Sequence, residues 1–214
     1  MRSLIVLSVI FCGCFAQKDS GHRTTILFPR QTSTDHVILK TTATEPLKQF
    51  TACMHSYTEL TRDYSLLSIA TPSTANAFHI HPMPPNNISI SINNEDIYFR
   101  VDPDVLDWKQ TCVAWDSETG LLQLWVNAKR YPRKVTTSRS PIGPQMSLTL
   151  GQYLDHDIGH SFVGEMHSLN MWDYVLSPEA ITESFRFGSN INGNIINWKN
   201  QPYETKGDTM ILGN

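Results

Sequence analysis

Ile88-Ser89-Ile90-Ser91-Ile92 alternates a β-branched apolar residue with a small hydroxyl residue. An extended chain sends successive side chains to opposite faces, so the isoleucines of this strand cover a core and the serines face a wet or functional surface. The same kind of segment recurs on both sides of it: Thr24–Phe28, His36–Lys40, Phe50–Tyr57, Ile97–Val101, Thr111–Trp115, Leu121–Val126, Ser147–Leu150 and Leu169–Trp172. Turn residues separate these segments at regular intervals, the pattern of an all-β sandwich. One short helix interrupts it. Ser177 can cap its start, Pro178 fits its first position, Glu179 suits the positive end of its dipole, and Gly188 can stop it. The run His81-Pro82-Met83-Pro84-Pro85 predicts an exposed loop, because prolines supply no donors to a ladder.

At the N-terminus, Arg2 precedes the apolar run Leu4–Phe11, and small residues follow at Cys14-Phe15-Ala16. This is the layout of a signal peptide over residues 1–16, leaving one domain over 17–214 that is secreted and extracellular. No later run is long and apolar enough for a membrane span. The formal net charge of −3 carries no basic excess, which argues against nucleic acid as a partner. Cys12 and Cys14 fall inside the leader, so the mature chain keeps Cys53 and Cys112, an even pair in an oxidising compartment. They are expected to form a disulfide.

Several separated blocks closely resemble the short pentraxins. They are Pro46-Leu47-Lys48-Gln49-Phe50-Thr51-Ala52-Cys53, Tyr57-Thr58-Glu59-Leu60, Cys112-Val113-Ala114-Trp115-Asp116-Ser117, Leu150-Gly151-Gln152 and Asn170-Met171-Trp172-Asp173-Tyr174-Val175-Leu176-Ser177-Pro178. Gln110 and Ala114 stand where the family signature around the second cysteine has a histidine and a hydroxyl residue. The resemblance implies a flattened, lectin-like jelly roll of two antiparallel sheets and a homo-oligomer, a pentameric ring. It also implies two calcium ions on one face that hold phosphocholine or glycan ligands, with the helix-bearing face left for complement or Fc receptors. The activity so implied is acute-phase, innate-immune recognition rather than catalysis.

The family holds calcium with an Asp-Asn pair and with a second loop rich in Glu, Gln and Asp. Here the pair aligns with Ala75-Asn76, and the second loop is shortened. Tyr153 and Leu154 replace a Glu and a Gln, and Asp155 is the direct match, with Asp157 nearby. The calcium candidates are therefore Asn76, Asp155 and Asp157, too few side chains for two ions that each want six to eight oxygens. The family's choline pocket falls on His79, His81, Ser91 and Asp96. His79 and His81 share one face of a strand, and the second loop brings His156 and His160. Imidazoles with carboxylates suit zinc better than calcium, so His79, His81, His156 and His160 form an alternative transition-metal set. A pH-sensitive patch and plain surface histidines are the other readings of the same four residues.

Asn87-Ile88-Ser89 is an N-glycosylation sequon. Lys129-Arg130-Tyr131-Pro132-Arg133-Lys134 reads as a solvated hairpin edge, with an anionic-ligand site as the weaker option. Asn127 stands where family members often carry an aspartate linked to complement binding. Gly159-His160-Ser161-Phe162-Val163 lacks the final glycine of a nucleophile elbow. HExxH, phosphate-loop and EF-hand patterns do not occur, so the chain reads as a binding protein and not an enzyme. A diverged structural or carrier protein that keeps the fold without calcium-dependent binding is the rival expectation.

Overall fold

The computed structural model describes residues 24–153, 157–187 and 191–213. The leader, Asp155, His156 and Gly188 lie outside the described residues. Two antiparallel sheets stack face to face.

The first seven strands are β1 (Thr24–Phe28), β2 (His36–Leu39), β3 (Gln49–Tyr57), β4 (Leu67–Thr71), β5 (Thr74–Met83), β6 (Asn87–Ile92) and β7 (Glu95–Arg100). Next come β8 (Lys109–Asp116), β9 (Leu121–Val126), β10 (Lys129–Arg130), β11 (Lys134–Val135) and β12 (Ser147–Leu150). A 3-10 turn at Ile158–His160 precedes β13 (Gly164–Trp172) and helix α1 (Pro178–Phe187). The chain closes with β14 (Ile196–Asn197), β15 (Tyr203–Lys206) and β16 (Met210–Gly213). One sheet runs β15-β2-β12-β4-β5-β6-β7; the other runs β10-β9-β8-β3-β13-β1-β16, with β11 on β9 and β14 on β13.

Alternation decides what lies between the sheets. Phe50, Ala52 and Met54 of β3 point inward, as do Phe78 and Ile80 of β5 and Ile88, Ile90 and Ile92 of β6. Phe50 meets Phe78 edge to face, 4.7 Å between centroids, and so bolts one sheet to the other. Burying one such ring contributes about 2 kcal/mol. Trp115 is fully buried, and its indole N–H donates to Thr136 Oγ1 at 3.0 Å, so the polar tip costs nothing.

Outward residues of β3, β8, β9 and β13 form a second cluster. Cys53, Cys112, Ala114, Trp125 and Trp172 are covered by Leu176 and by Ile181 of α1. Cys53 and Cys112 face each other in the β3–β8 register and are bonded, as expected. Gln110, at the position where the family histidine is absent, donates to Ser184 Oγ at 3.0 Å and ties β8 to the helix. Asn127 has its side chain committed as well, its Oδ1 accepting from Gln110 N at 2.8 Å.

The helix starts where the sequence places it. Ser177 Oγ accepts from Ala180 N at 3.2 Å, satisfying an orphan donor of the first turn. Ser177→Ala is expected to cost about 1 kcal/mol in urea unfolding, and Ser177→Asn much less. Equal losses for both would show that the cap contributes nothing.

The proline run departs from the expected loop. His81, Pro82 and Met83 continue β5, with Pro82 opposite Ile88 and buried. Beyond the start of β4, the neighbour of β5 is the segment Tyr64–Leu66, and Pro82 meets it through its carbonyl, which accepts from Tyr64 N at 3.1 Å. The turn is confined to Pro84–Asn86. Strands β4 and β5 are also not apparent from periodicity, since β4 is only five residues long and β5 mixes Asn76, His79, His81 and Pro82 with its apolar positions.

Candidate functional site

Helix α1 covers the outer face of the nine-stranded sheet, leaving the outer face of the seven-stranded sheet bare. On that face the register sets two rows across β5, β6 and β7: His79, Ser91 and Asp96 in one, His81, Ser89 and Tyr98 in the other. The rows stay aligned because Asn93 and Asn94 close the β6–β7 hairpin with positive φ at both positions (50° and 66°). That turn matches the twist of paired strands and suits asparagine.

Two loops wall the rows. After β12, Gly151 turns the chain with φ +80°, and a Cβ there would sit 2.3 Å from the Phe28 ring, so only glycine fits. This turn carries Tyr153 over His79, centroids 4.8 Å apart. The second wall is the 3-10 turn, pinned by Arg62. Its guanidinium donates to Gly159 O at 2.8 Å, Ser161 O at 2.7 Å and Asp63 O at 2.9 Å. His160 is thereby held 5.0 Å from His81, edge to face. The result is a pocket of about 310 Å³ lined by both rows, by Asp63, Met83 and Asn76, and by Tyr153 and His160.

The imidazoles are not equivalent. His79 is buried, 4% exposed, and its Nε2 bonds Ser65 Oγ at 2.8 Å. Burial first, then the His81 and His160 rings, lower its pKa to about 3. Burial also lowers the pKa of His81, and His160 adds to this. Asp63, 3.8 Å from His81 Nε2, pulls the other way. At neutral pH the pocket thus presents the uncharged imidazoles of His79 and His81, with Asp63 and Asp96 lining it beside them. Asp96 accepts from Ser91 Oγ.

Of the residues expected from sequence, Asn76, His79, His81, Ser91, Asp96 and His160 converge on this one pocket. Asp157 does not line it: its Oδ1 caps the 3-10 turn, accepting from Gly159 N at 2.8 Å, and its Oδ2 lies 3.6 Å from Nδ1 of the lining residue His160. Asp63, Met83, Ser89, Tyr98 and Tyr153 were not expected there. Ser89 and Tyr98 could have been, since each lies two residues from Ser91 or Asp96 and shares its face; the others arrive through tertiary packing.

One acceptor is uncommitted here: Asn76 Oδ1 is buried and has no hydrogen-bond partner among the described residues. The remainder of a cage is missing. Among the described residues no group of three or more His, Cys, Asp or Glu side chains could hold a metal ion. Tyr153 brings a ring rather than a carboxylate against His79, and the Nε2 of His79 is taken by Ser65. The described residues therefore fit neither a calcium pair nor a histidine-bound zinc.

Among the described residues no helix is long and apolar enough to cross a membrane. The model of the Pentaxin family matches residues 24–212. Jeltraxin of Lepidobatrachus laevis is 50% identical over 221 residues, spanning 100% of this chain and 97% of that protein. The C-reactive protein of Xenopus laevis is 44% identical, spanning 97% and 90%. A heptameric SAP-like pentraxin from Limulus polyphemus shares the fold at 17% identity, with a TM-score of 0.80 over 89% of this chain and 95% of that one. With two stacked antiparallel sheets, the cross-strand cysteine bridge and a family match over residues 24–212, the chain belongs to the pentraxin family.

Proposed function

We propose that this chain is a secreted pattern-recognition protein of innate immunity that binds phosphocholine-type or carbohydrate groups through the His79–Tyr153 pocket, without relying on calcium. The observation that carries this reading is the convergence of two cross-strand rows and two loops on one pocket, on the face opposite the helix. Its volume lies at the lower end of the range for small-ligand sites. Asp96 and Asp63 attract a positively charged head, and the tyrosine rings offer it π faces. Ser89, Ser91 and the imidazoles supply the hydrogen bonds a sugar or phosphoryl group needs. Assembly into a homo-oligomeric ring, five subunits in the short pentraxins it resembles, would multiply weak single-site binding into avidity. The helix face would remain open to complement or Fc receptors.

Retention of the protein on phosphocholine and glycan resins, in calcium and in chelator, tests this. Retention that survives chelator, and falls about tenfold for Asp96→Asn, is the expected result, as loss of a charged acceptor costs about 1.5 kcal/mol. Release by chelator would instead place ligand recognition on calcium. The lack of a metal-holding group among the described residues favours a second reading, a structural or carrier protein that keeps the ring without such ligands. Failure on every resin would select it.

A further inference from the structure

The sequon Asn87-Ile88-Ser89 opens β6. Asn87 is exposed and has the same parity as Ser89 and Ser91, so its side chain leaves the sheet on the pocket face. Met83 sits directly across from it on β5, and Tyr98 lies across from Ser89 on β7. Met83, Ser89 and Tyr98 all line the pocket. Directly paired side chains have Cβ atoms about 5 Å apart, and Ser89 is about 7 Å along the strand. The root of any group on Asn87 therefore stands at the pocket's rim. The Asn87 amide makes an exposed hydrogen bond to Asn86 Oδ1, 3.2 Å. Substituting its nitrogen thus disturbs no buried contact. Ser89 is only 6% exposed in the folded protein, which is no obstacle, because the sugar is transferred while the chain is still unfolded in the secretory lumen.

We propose that Asn87 carries an N-linked glycan that screens the pocket from large reagents and ligands while leaving it open to small ones. The attachment stands on the sequon and its exposure alone; the screening deepens the reading of this pocket as the ligand site. A glycan is bulky, hydrated and mobile. Rooted beside Met83, it sweeps the space above Tyr98, a residue 54% exposed. A free headgroup slips beneath it. A polymer or particle bearing the same headgroup must push it aside.

The test uses full-length protein secreted from animal cells. The peptide containing Asn87 is expected to carry hexose and N-acetylhexosamine, and native release by peptide-N-glycosidase is expected to convert Asn87 to aspartate. Iodination of Tyr98 by lactoperoxidase, a protein-sized reagent, is expected to rise several-fold after release and in Asn87→Gln. Nitration of Tyr98 by tetranitromethane, a small reagent, is expected to stay unchanged. An unmodified Asn87 peptide overturns the proposal outright, and equal iodination with and without the glycan overturns the screening. Neither readout involves phosphocholine or a sugar ligand. If the binding function itself is wrong, that shows separately, as failure of the glycan-free protein on every resin.

Discussion

Replacing both Cys53 and Cys112 with alanine is expected to remove about 4 kcal/mol of stability, a large share of what holds a single domain folded. The bridge joins residues 59 apart in sequence. Without it the unfolded chain regains the entropy of an open loop of that length. Neighbouring pairs in the β3–β8 ladder already hold the native strands in register, from Gln49 opposite Asp116 to Ser56 opposite Lys109. The native fold should therefore persist, with its circular dichroism unchanged. The loss corresponds to a fall in Tm of roughly 8–16 °C for a domain of this size. Chemical denaturation of wild type and double variant measures it directly. A difference under about 1 kcal/mol would show that the unfolded chain is already constrained across that loop.

The second large effect depends on acid. His79 has its native pKa lowered to about 3, whereas in the unfolded chain a histidine titrates near ~6.5. Between those values the unfolded state binds a proton that the native state refuses. Stability from this site is thus fully present above the unfolded pKa and is lost as pH falls from there toward the native one. Linkage puts the loss between pH 7 and pH 5 at about 2 kcal/mol. Unfolding measured at both pH values should show that difference shrinking in His79→Gln, where no proton is taken up. The variant keeps a side chain able to bond Ser65 Oγ, so the slope with pH, not the absolute stability, is the readout. An identical slope in both proteins would mean that His79 charges in place, with Tyr153 and Ser65 moving to admit water.

How much of this was legible in the sequence depends on where each residue's information lies. Ile88–Ile92, Leu121–Val126 and Ser147–Leu150 announce themselves because alternation or β-branching is local. Strand β5 does not, since Pro82 brings no backbone donor and reads as a break, although in the fold its carbonyl accepts from Tyr64 N. His79, His81, Ser91 and Asp96 were within reach because a strand's parity carries a site from one position to the next. Tyr153 and Asp63 were not: the first depends on the left-handed turn at Gly151, the second on Arg62 gathering carbonyls from a distant loop.

The alternation in β5, β6 and β7 has a bearing on how such a protein can change over generations. His79, His81, Ser89, Ser91, Asp96 and Tyr98 occupy one parity; Phe78, Ile80, Ile88, Ile90, Ile92, Ile97 and Phe99 occupy the other. Substitutions of the first set rewrite what the surface recognises, and substitutions of the second set decide whether there is a fold at all. Selection can therefore act on specificity and on folding almost separately along the same three strands, and a lineage can trade one bound molecule for another without first acquiring compensating changes inside.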